Sequence, residues 1–344
     1  MEFDEVGGWP AILGTLAARR DLSTDQARAA MAEILDGAAT PAQIAGFIVA
    51  LRMKGETVDE LGGLVDAMLA AAERVTLTSD EPVVDIVGTG GDRAHTINVS
   101  TLSALVVAGA GARVCKHGNR AASSATGSAD LLEALGVRID CGPEEVARCV
   151  AEAGIGFCFA PRFHPAMRHA GPPRRELGIA TAFNFLGPLA NPAGVRRLMI
   201  GVADPAMAQR MVGVLAARGS DRVLVVHGDD GLDELTVSTT SQVVELRDGE
   251  VRDYTVDPKE LGIATAPTDA LVGGDPDTNA ELGRRVLAGE AGPHRDVVCL
   301  NAAAGLVVAG MADDLTHGLQ AAQATIDGGG AADALDRLVA VSHG

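Results

Sequence analysis

Aromatic residues are scarce in this chain of 344 residues: seven Phe, one Trp and one Tyr, 3% in all. Its core must therefore be packed mostly from Ala, Val and Leu. Basic residues are also in short supply, 28 Lys and Arg against 46 Asp and Glu, for a net charge of −18. A chain this acidic repels phosphate backbones, so nonspecific nucleic-acid binding is not expected, and an anionic substrate would need a local cationic pocket. Cysteines number five, at positions 115, 141, 149, 158 and 299, and no Cys-x-x-Cys occurs. An odd count at wide spacing argues against a disulfide framework and a zinc site; it fits buried thiols in a reducing cytoplasm. No apolar run reaches transmembrane length, and no basic segment leads into an apolar stretch at the N-terminus. Neither a membrane span nor a secretory leader is expected, and no internal repeat is present.

Hydrophobic residues make up 47% and charged residues 22%, which gives ample material for a globular core. The length allows two domains, or one large domain with an appendage. The first 75 or so residues read as helical. Ser23-x-x-Gln26 and Thr57-x-x-Glu60 are capping boxes, and Thr40-Pro41 sets a cap before a first-turn proline. Ile44, Phe47, Ile48 and Leu51 recur with helical spacing, as do Leu61, Leu64, Val65, Met68 and Leu69.

From Pro82 the pattern changes to strand–helix alternation. Short apolar runs fall near 83–87, 112–116, 155–159, 198–202 and 222–227, with helical patterns between them at 128–135 and 143–153. This predicts βαβ units and a mainly parallel sheet flanked by helices. Arg-Asp-Gly-Glu within 243–254 predicts a hairpin at its margin, and the chain from Asn279 onward reads as helical. Residues 172–192 carry too much Pro and Gly for one helix and read as a crossover returning to the N-terminal helices. The fold class is α/β: a small N-terminal helical domain over 1–78, joined by part of 172–195, and a large α/β domain over 79–344.

Two Gly-rich loops stand where this alternation puts strand ends. Val-Gly-Thr-Gly-Gly-Asp spans 87–92, and Lys-His-Gly-Asn-Arg-Ala-Ala-Ser-Ser spans 116–124. Glycine lets backbone N–H groups approach a ligand, and the following helix N-terminus favours an anion. Position 93 is Arg rather than the third glycine of a dinucleotide fingerprint, and a Walker A motif is absent. Either loop alone could be a tight turn. Together they predict one polyanion held at both ends.

Three further features bear on chemistry. Thr96-Ile-Asn-Val-Ser-Thr101 places hydroxyls at a helix start, where Ser100 or Thr101 is expected to cap the helix. Gly228-Asp-Asp-Gly-Leu-Asp-Glu234 crowds four carboxylates, and Asp233 and Glu234 are expected just ahead of a strand. Neighbours on a regular strand point to opposite faces, so both reach one Mg²⁺–ligand cluster only through irregular backbone or two ions. Metal binding and a solvated acidic turn stand equally open. The basic run Arg162, His164, Arg168, His169, Arg174 and Arg175 offers a cationic pocket or a solvated helix face. Arg174, with Phe157, Phe159 and Phe163 upstream, suits a small aromatic carboxylate; pairing with Glu176 is the structural alternative.

Gly-Thr-Gly-Gly-Asp, Asn-x-Ser-Thr, Lys-His-Gly-Asn-Arg with Ser-Ser, Gly-Ser-Ala-Asp-Leu-Leu-Glu-Ala-Leu-Gly, Arg-x-Glu-Leu-Gly and Gly-Leu-Asp-Glu occur in that order. Together they resemble the anthranilate phosphoribosyltransferase family, over about residues 5 to 310. The related pyrimidine nucleoside phosphorylases share the fold but differ in the first loop. The resemblance implies transfer of phosphoribose from phosphoribosyl diphosphate (PRPP) to anthranilate, in tryptophan biosynthesis. It places PRPP on Gly88, Gly91, Asp92, Thr96, Asn98, Val99, Ser100, Thr101, Lys116, His117, Gly118, Asn119, Arg120, Ala121, Ala122, Ser123, Ser124 and Ser128. It places anthranilate on Gly88, Asn119 and Arg174, and Mg²⁺, as two ions, at Ser100, Asp233 and Glu234. It also implies a cytoplasmic homodimer formed through the helical domain, with no nucleic-acid or membrane partner, and it singles out no general acid or base. A nucleoside phosphorylase and a non-catalytic binding paralogue are the alternatives. The acidic charge and the Asp233-Glu234 pair weigh against the latter.

Overall fold

The computed structural model describes residues 3–78, 81–121 and 125–344. Helices α1 (Gly8–Ala17), α2 (Thr24–Leu35), α3 (Pro41–Lys54) and α4 (Val58–Ala70) come first. Then follow β1 (Val83–Gly88), α5 (Val99–Gly109), β2 (Arg113–Gly118), α6 (Ser128–Ala134), α7 (Pro143–Ala153) and β3 (Ile155–Phe159). Short helices α8 (Ala160–Phe163), α9 (Gly171–Leu177) and α10 (Leu186–Leu189) lead to β4 (Arg197–Gly201), α11 (Ala208–Ala217) and β5 (Arg222–Gly228). The chain ends with β6 (Ser241–Arg247), β7 (Glu250–Val256), α12 (Pro276–Leu287), α13 (Pro293–Ala309), α14 (Leu315–Asp327) and α15 (Gly330–His343).

Two compact units form: residues 1–74 with 160–192, and residues 75–159 with 193–344. In the helical unit, Ser23, Thr40 and Thr57 each close the capping box with the residue three positions on. Each cap supplies a partner to helix-end N–H groups that would otherwise have none, worth about 1 kcal/mol. Glu60 serves further: its buried carboxylate accepts from the Leu22 N–H at 2.8 Å and the Lys54 ammonium at 2.8 Å. That ties α4 to the start of α2 and the end of α3. Residues 171–189 form three short helical pieces, as their proline content requires, and α9 and α10 pack on α3 and α4.

The second unit is built on a seven-stranded sheet in the order β3-β2-β1-β4-β5-β6-β7. The first five strands are parallel, and β6 and β7 are antiparallel. The β6–β7 turn places Asp248 (φ 54°) and Gly249 (φ 81°) in the left-handed region, the two-residue geometry that matches strand twist. Helices α5 and α13 cover one face over Ile86, Val114 and Leu224, while α11 packs against β5 and β6. Apolar burial of this kind contributes about 25 cal/mol per Å², the main term holding the sheet. Strand order reverses direction at β1, where β2 and β4 leave on opposite sides, and the β1–β2 register covers only Val83–Arg113 and Val84–Val114. The carboxyl ends of the strands therefore open a crevice at this switch point, the usual ligand position in open α/β sheets. No helix among the described residues is long and apolar enough to cross a membrane.

Candidate active site

The site starts with two paired glycines, Gly88 at the end of β1 and Gly201 at the end of β4. Segment 229–240 folds back over both. A Cβ at Gly88 would stand 2.5 Å from Asp233 Oδ2, and one at Gly201 would collide with the Asp233 carbonyl. At Gly201 the obstacle is backbone, so only glycine admits the approach; at Gly88 it is the end of the Asp233 side chain, which would have to move.

Asp233 and Glu234 lie in irregular backbone, seven residues before β6 begins. They precede a new strand, as expected, but with residues 235–240 between, and the irregular backbone lets Asp233 turn to the first loop and Glu234 to the start of α5. Asp233 Oδ2 accepts from the Gly90 N–H at 2.7 Å, and Glu234 Oε1 accepts from the Ser100 N–H at 3.0 Å. Asp229 and Asp230 belong to a separate network. Asp229 accepts from the Thr240 hydroxyl and the Gln242 amide, and Asp230 from the hydroxyls of Thr236 and Thr268. Neutral donors there spread the charge of the acidic run.

Ser100 and Thr101 do not cap α5. The N-cap is Asn98, whose side chain makes no capping bond, and the two hydroxyl residues sit inside the first turn. The Ser100 N–H finds its acceptor in Glu234, far along the chain, so a local hydroxyl is not needed. Thr101 and Val99 are buried. Between β1 and α5 the backbone carries Arg93 (φ 60°) and His95 (φ 53°), a left-handed conformation costly for side-chain-bearing residues. Segment 271–273 holds it: the Ile97 N–H donates to Leu271 O at 3.0 Å and the Gly273 N–H to His95 O at 2.9 Å.

Lys116 is turned inward from the second loop. It is 2% exposed, donates to the Ile86 carbonyl, and reaches Ser100 Oγ at 3.3 Å. His117 is also buried, its N–H on Asp85 Oδ1 at 3.1 Å. Asn119 and Ser128 bond to each other twice, N–H to Oγ at 3.2 Å and Oγ to carbonyl at 3.1 Å. The Arg120 guanidinium pairs with Asp130 (2.7 Å) and Glu133 (2.9 Å) and lies 5.6 Å from the Phe159 ring centre. Asp130 Oδ2 also accepts from the N–H groups of Ala121 and Gly127, both at 2.9 Å. Ala122, Ser123 and Ser124 lie outside the described residues.

Burial sets the electrostatics. It pushes the Asp233 carboxyl well above its ordinary range, reinforced by the neighbouring Asp92 and Glu234 carboxylates. Burial likewise pushes Glu234 up to about 8, against the pull of the Lys116 ammonium. It lowers Lys116 against the opposing pull of Asp85, Glu234 and Asp233. The pocket thus holds more buried acid than base, an arrangement that a divalent cation relieves. No group of three or more His, Cys, Asp or Glu that could hold a metal by itself occurs among the described residues. Two carboxylates and a hydroxyl nonetheless fit Mg²⁺, which takes hard oxygens and completes its shell with water and substrate phosphates.

In the helical unit the basic run does not converge. Arg162 is paired with Glu73. His164 is buried with Nε2 at 3.0 Å from the Ala190 carbonyl, and burial drops its pKa to about 4. Arg168 bonds to the Pro165 carbonyl. Arg174 differs from these. Its guanidinium is partly desolvated, which lowers its pKa, and it lies 5.7 Å from the Phe183 ring centre. Among the described residues it makes no ion pair, so the Glu176 pairing is not formed, and its aromatic neighbour is Phe183. Phe157 and Phe159 instead stack on each other in β3.

Residue patterns gave no role to Asp130, Thr126 or Asn279, although all three bind the loops from outside. Gly127-x-x-Asp130 was the one local signal, a helix-start spacing; Asn279 lies too far along the chain to leave any.

Residues 80–332 match the α/β domain of a glycosyl transferase family, and residues 10–72 match that family's helical bundle domain. The anthranilate phosphoribosyltransferase of Rhodococcus jostii is 57% identical over 342 residues, covering 98% of this chain and 94% of that protein. The crystal structure of anthranilate phosphoribosyltransferase from Thermus thermophilus superposes with a TM-score of 0.91 at 44% identity, covering 97% of this chain and 99% of that one. The Saccharomyces cerevisiae enzyme in complex with PRPP and Mg gives 0.88 at 26% identity, covering 97% and 98%. The chain belongs to this glycosyl transferase family and, within it, to the anthranilate phosphoribosyltransferases.

Proposed function

We propose that the chain transfers the 5-phosphoribosyl group of PRPP to the amine of anthranilate, giving N-(5-phosphoribosyl)anthranilate and diphosphate in tryptophan biosynthesis. The observation that carries this is the placement of Asp233 and Glu234, buried and bonded to the first Gly-rich loop at Gly90 and to the start of α5 at Ser100. Residues 1–78 with the returning segment serve as the helical domain, and the rest of 79–344 as the PRPP-binding domain.

PRPP lies along Gly88, Gly91, Asp92, Thr96, Asn98–Thr101, Lys116–Ser124 and Ser128. Ser100, Asp233 and Glu234 hold Mg²⁺, which supplies charge neutralisation at the diphosphate when bound. Two ions suit the pair, because the carboxylates turn to different segments, Asp233 to the loop at Gly90 and Glu234 to the start of α5. Departure of diphosphate builds negative charge on the leaving group and oxocarbenium character at the ribose C1. Backbone donors of the two loops, fixed before the reaction, stabilise the former.

Gly88, Asn119 and Arg174 receive anthranilate. A desolvated guanidinium with no ion-pair partner among the described residues suits its carboxylate, and fixing that end directs the amine at C1. The attacking aromatic amine becomes strongly acidic once bonded to carbon, so its proton leaves without a strong base.

The protein acts as a cytoplasmic homodimer. Five buried cysteines, with no disulfide among the described residues, support a reducing compartment. Support for pairing through the helical domain comes from α1 and α3, where Leu13, Val49 and Ala50 are half-buried and Met53 is 70% exposed. Light scattering should give twice the monomer mass, and Met53→Glu should weaken the association.

The direct test is anthranilate fluorescence on mixing protein, PRPP and Mg²⁺, with an EDTA control. Mg²⁺-dependent loss is expected. No loss with folded protein that still binds PRPP would overturn the acceptor, and no PRPP binding would overturn the donor.

A further inference from the structure

A closed ring of hydrogen bonds joins the residues that lead from each Gly-rich loop into its following helix to a third segment. Asn279, in the first turn of α12 and 2% exposed, accepts from the Gly274 N–H at 2.7 Å through Oδ1. Its Nδ2 donates to Asn98 Oδ1 at 3.0 Å, and Asn98 Nδ2 donates to the Thr126 carbonyl at 2.9 Å. The Thr126 hydroxyl closes the ring by donating to the Gly274 carbonyl at 2.8 Å. Both amides have one possible orientation, because the chain starts at a backbone N–H and ends at a backbone carbonyl. Gly273 packs so closely on the Asn279 amide that a Cβ there would collide with it.

The ring stands where the two loops re-enter regular structure. Asn98 is the last residue before α5, and Thr126 comes just before α6. The segment it anchors, 271–274, is also the one holding the backbone around the left-handed residues Arg93 and His95. Buried networks satisfied at every member restrict their surroundings to one arrangement.

We infer that Asn279 and Thr126 are positioning residues for PRPP, fixing the spacing between the two loops through Asn98. The inference rests on the proposed function, since it takes PRPP as the ligand held at both ends. Neither residue needs to touch the ligand. Without the ring the spacing between Asn98 and Thr126 must be fixed at the moment of binding, a cost paid in PRPP affinity.

Asn279→Asp keeps the acceptor for Gly274 but loses the donor to Asn98. Thr126→Val removes the hydroxyl at nearly constant shape, and Thr126→Ser restores it. Steady-state kinetics with Mg²⁺, together with calorimetric titration of PRPP, separates the outcomes. Asn279→Asp and Thr126→Val should each raise the PRPP KM and Kd about tenfold, a size set by one or two lost hydrogen bonds. The kcat and the anthranilate KM at saturating PRPP should stay within about twofold, and Thr126→Ser should behave as wild type within about twofold. Where Asn279→Asp fails to fold, the Thr126 pair decides alone. Unchanged PRPP affinity in folded Thr126→Val, or equal impairment of Thr126→Ser, overturns the inference while wild-type binding leaves the proposed function standing. Wild-type protein that binds no PRPP overturns both.

Discussion

The Asp233 carboxylate accepts a 2.7 Å hydrogen bond from the N–H of Gly90. A turn after β5 is thereby locked to the loop after β1, and the carboxylate occupies the space that a side chain at Gly88 would need.

Filling that space should displace the carboxylate. Gly88→Ala places a Cβ 2.5 Å from Asp233 Oδ2, closer than contact permits. A shift near 1 Å in a catalytic group costs about 100-fold in rate. We expect kcat/KM to fall by that order with the melting temperature little changed. Activity near wild type would show that this carboxylate need not be fixed.

Removing the acids altogether should separate catalysis from stability. Asp233→Asn with Glu234→Gln is expected to abolish Mg²⁺-dependent turnover while the protein remains folded, because neutral amides escape the cost of burying charge. Full activity in the double variant would send the metal elsewhere.

The raised pKa of Glu234 gives a pH signature. Its carboxyl sits at about 8 in the folded protein, above its ordinary value of 4.5. The native state therefore binds more protons in between, so this group's stabilisation is full below about 4.5 and lost as pH rises through 8. Added Mg²⁺ should raise the melting temperature more at pH 8 than at pH 5.5, and Glu234→Gln should flatten the metal-free pH dependence. Equal Mg²⁺ stabilisation at both pH values would contradict the assignment.

His164 predicts the opposite slope in the helical unit. Burial holds its folded pKa at about 4 against 6.5 ordinarily. The unfolded chain takes the proton first on acidification, so up to about 3 kcal/mol is lost between pH 6.5 and 4. His164→Gln should give a shallower fall in denaturant midpoint over that range.

Arg174→Ala should raise the anthranilate KM about tenfold or more, the loss of a charge-assisted contact. An unchanged KM would remove Arg174 from the acceptor site.

Local physics makes much of this protein legible in its sequence. Capping at Ser23, Thr40 and Thr57 depends on neighbours three residues apart, so it is written in the chain. The same holds for the period of the strands, the Asp248-Gly249 turn and the two glycine loops at strand ends. The expectation for Ser100 and Thr101 failed for the complementary reason: their helix start is completed by Glu234, from a turn after β5. Likewise the acidic run looked like one cluster. Only folding shows that Thr236, Thr240, Gln242 and Thr268 draw Asp229 and Asp230 away from the pair that faces the loop.

The sequence by itself determined the elements, the two Gly-rich loops and the family, because these rest on residue type and short spacing. Tertiary structure alone decided that Lys116 turns inward, that Arg174 lies over Phe183 without an ion pair among the described residues, and that Asn279 joins Asn98 and Thr126. For Lys116 and Asn279 those facts depend on which distant segments meet at the switch point, for Arg174 on how 171–184 folds within the helical unit, and for all three on the burial that results. None of these leaves a mark in the local order of residues.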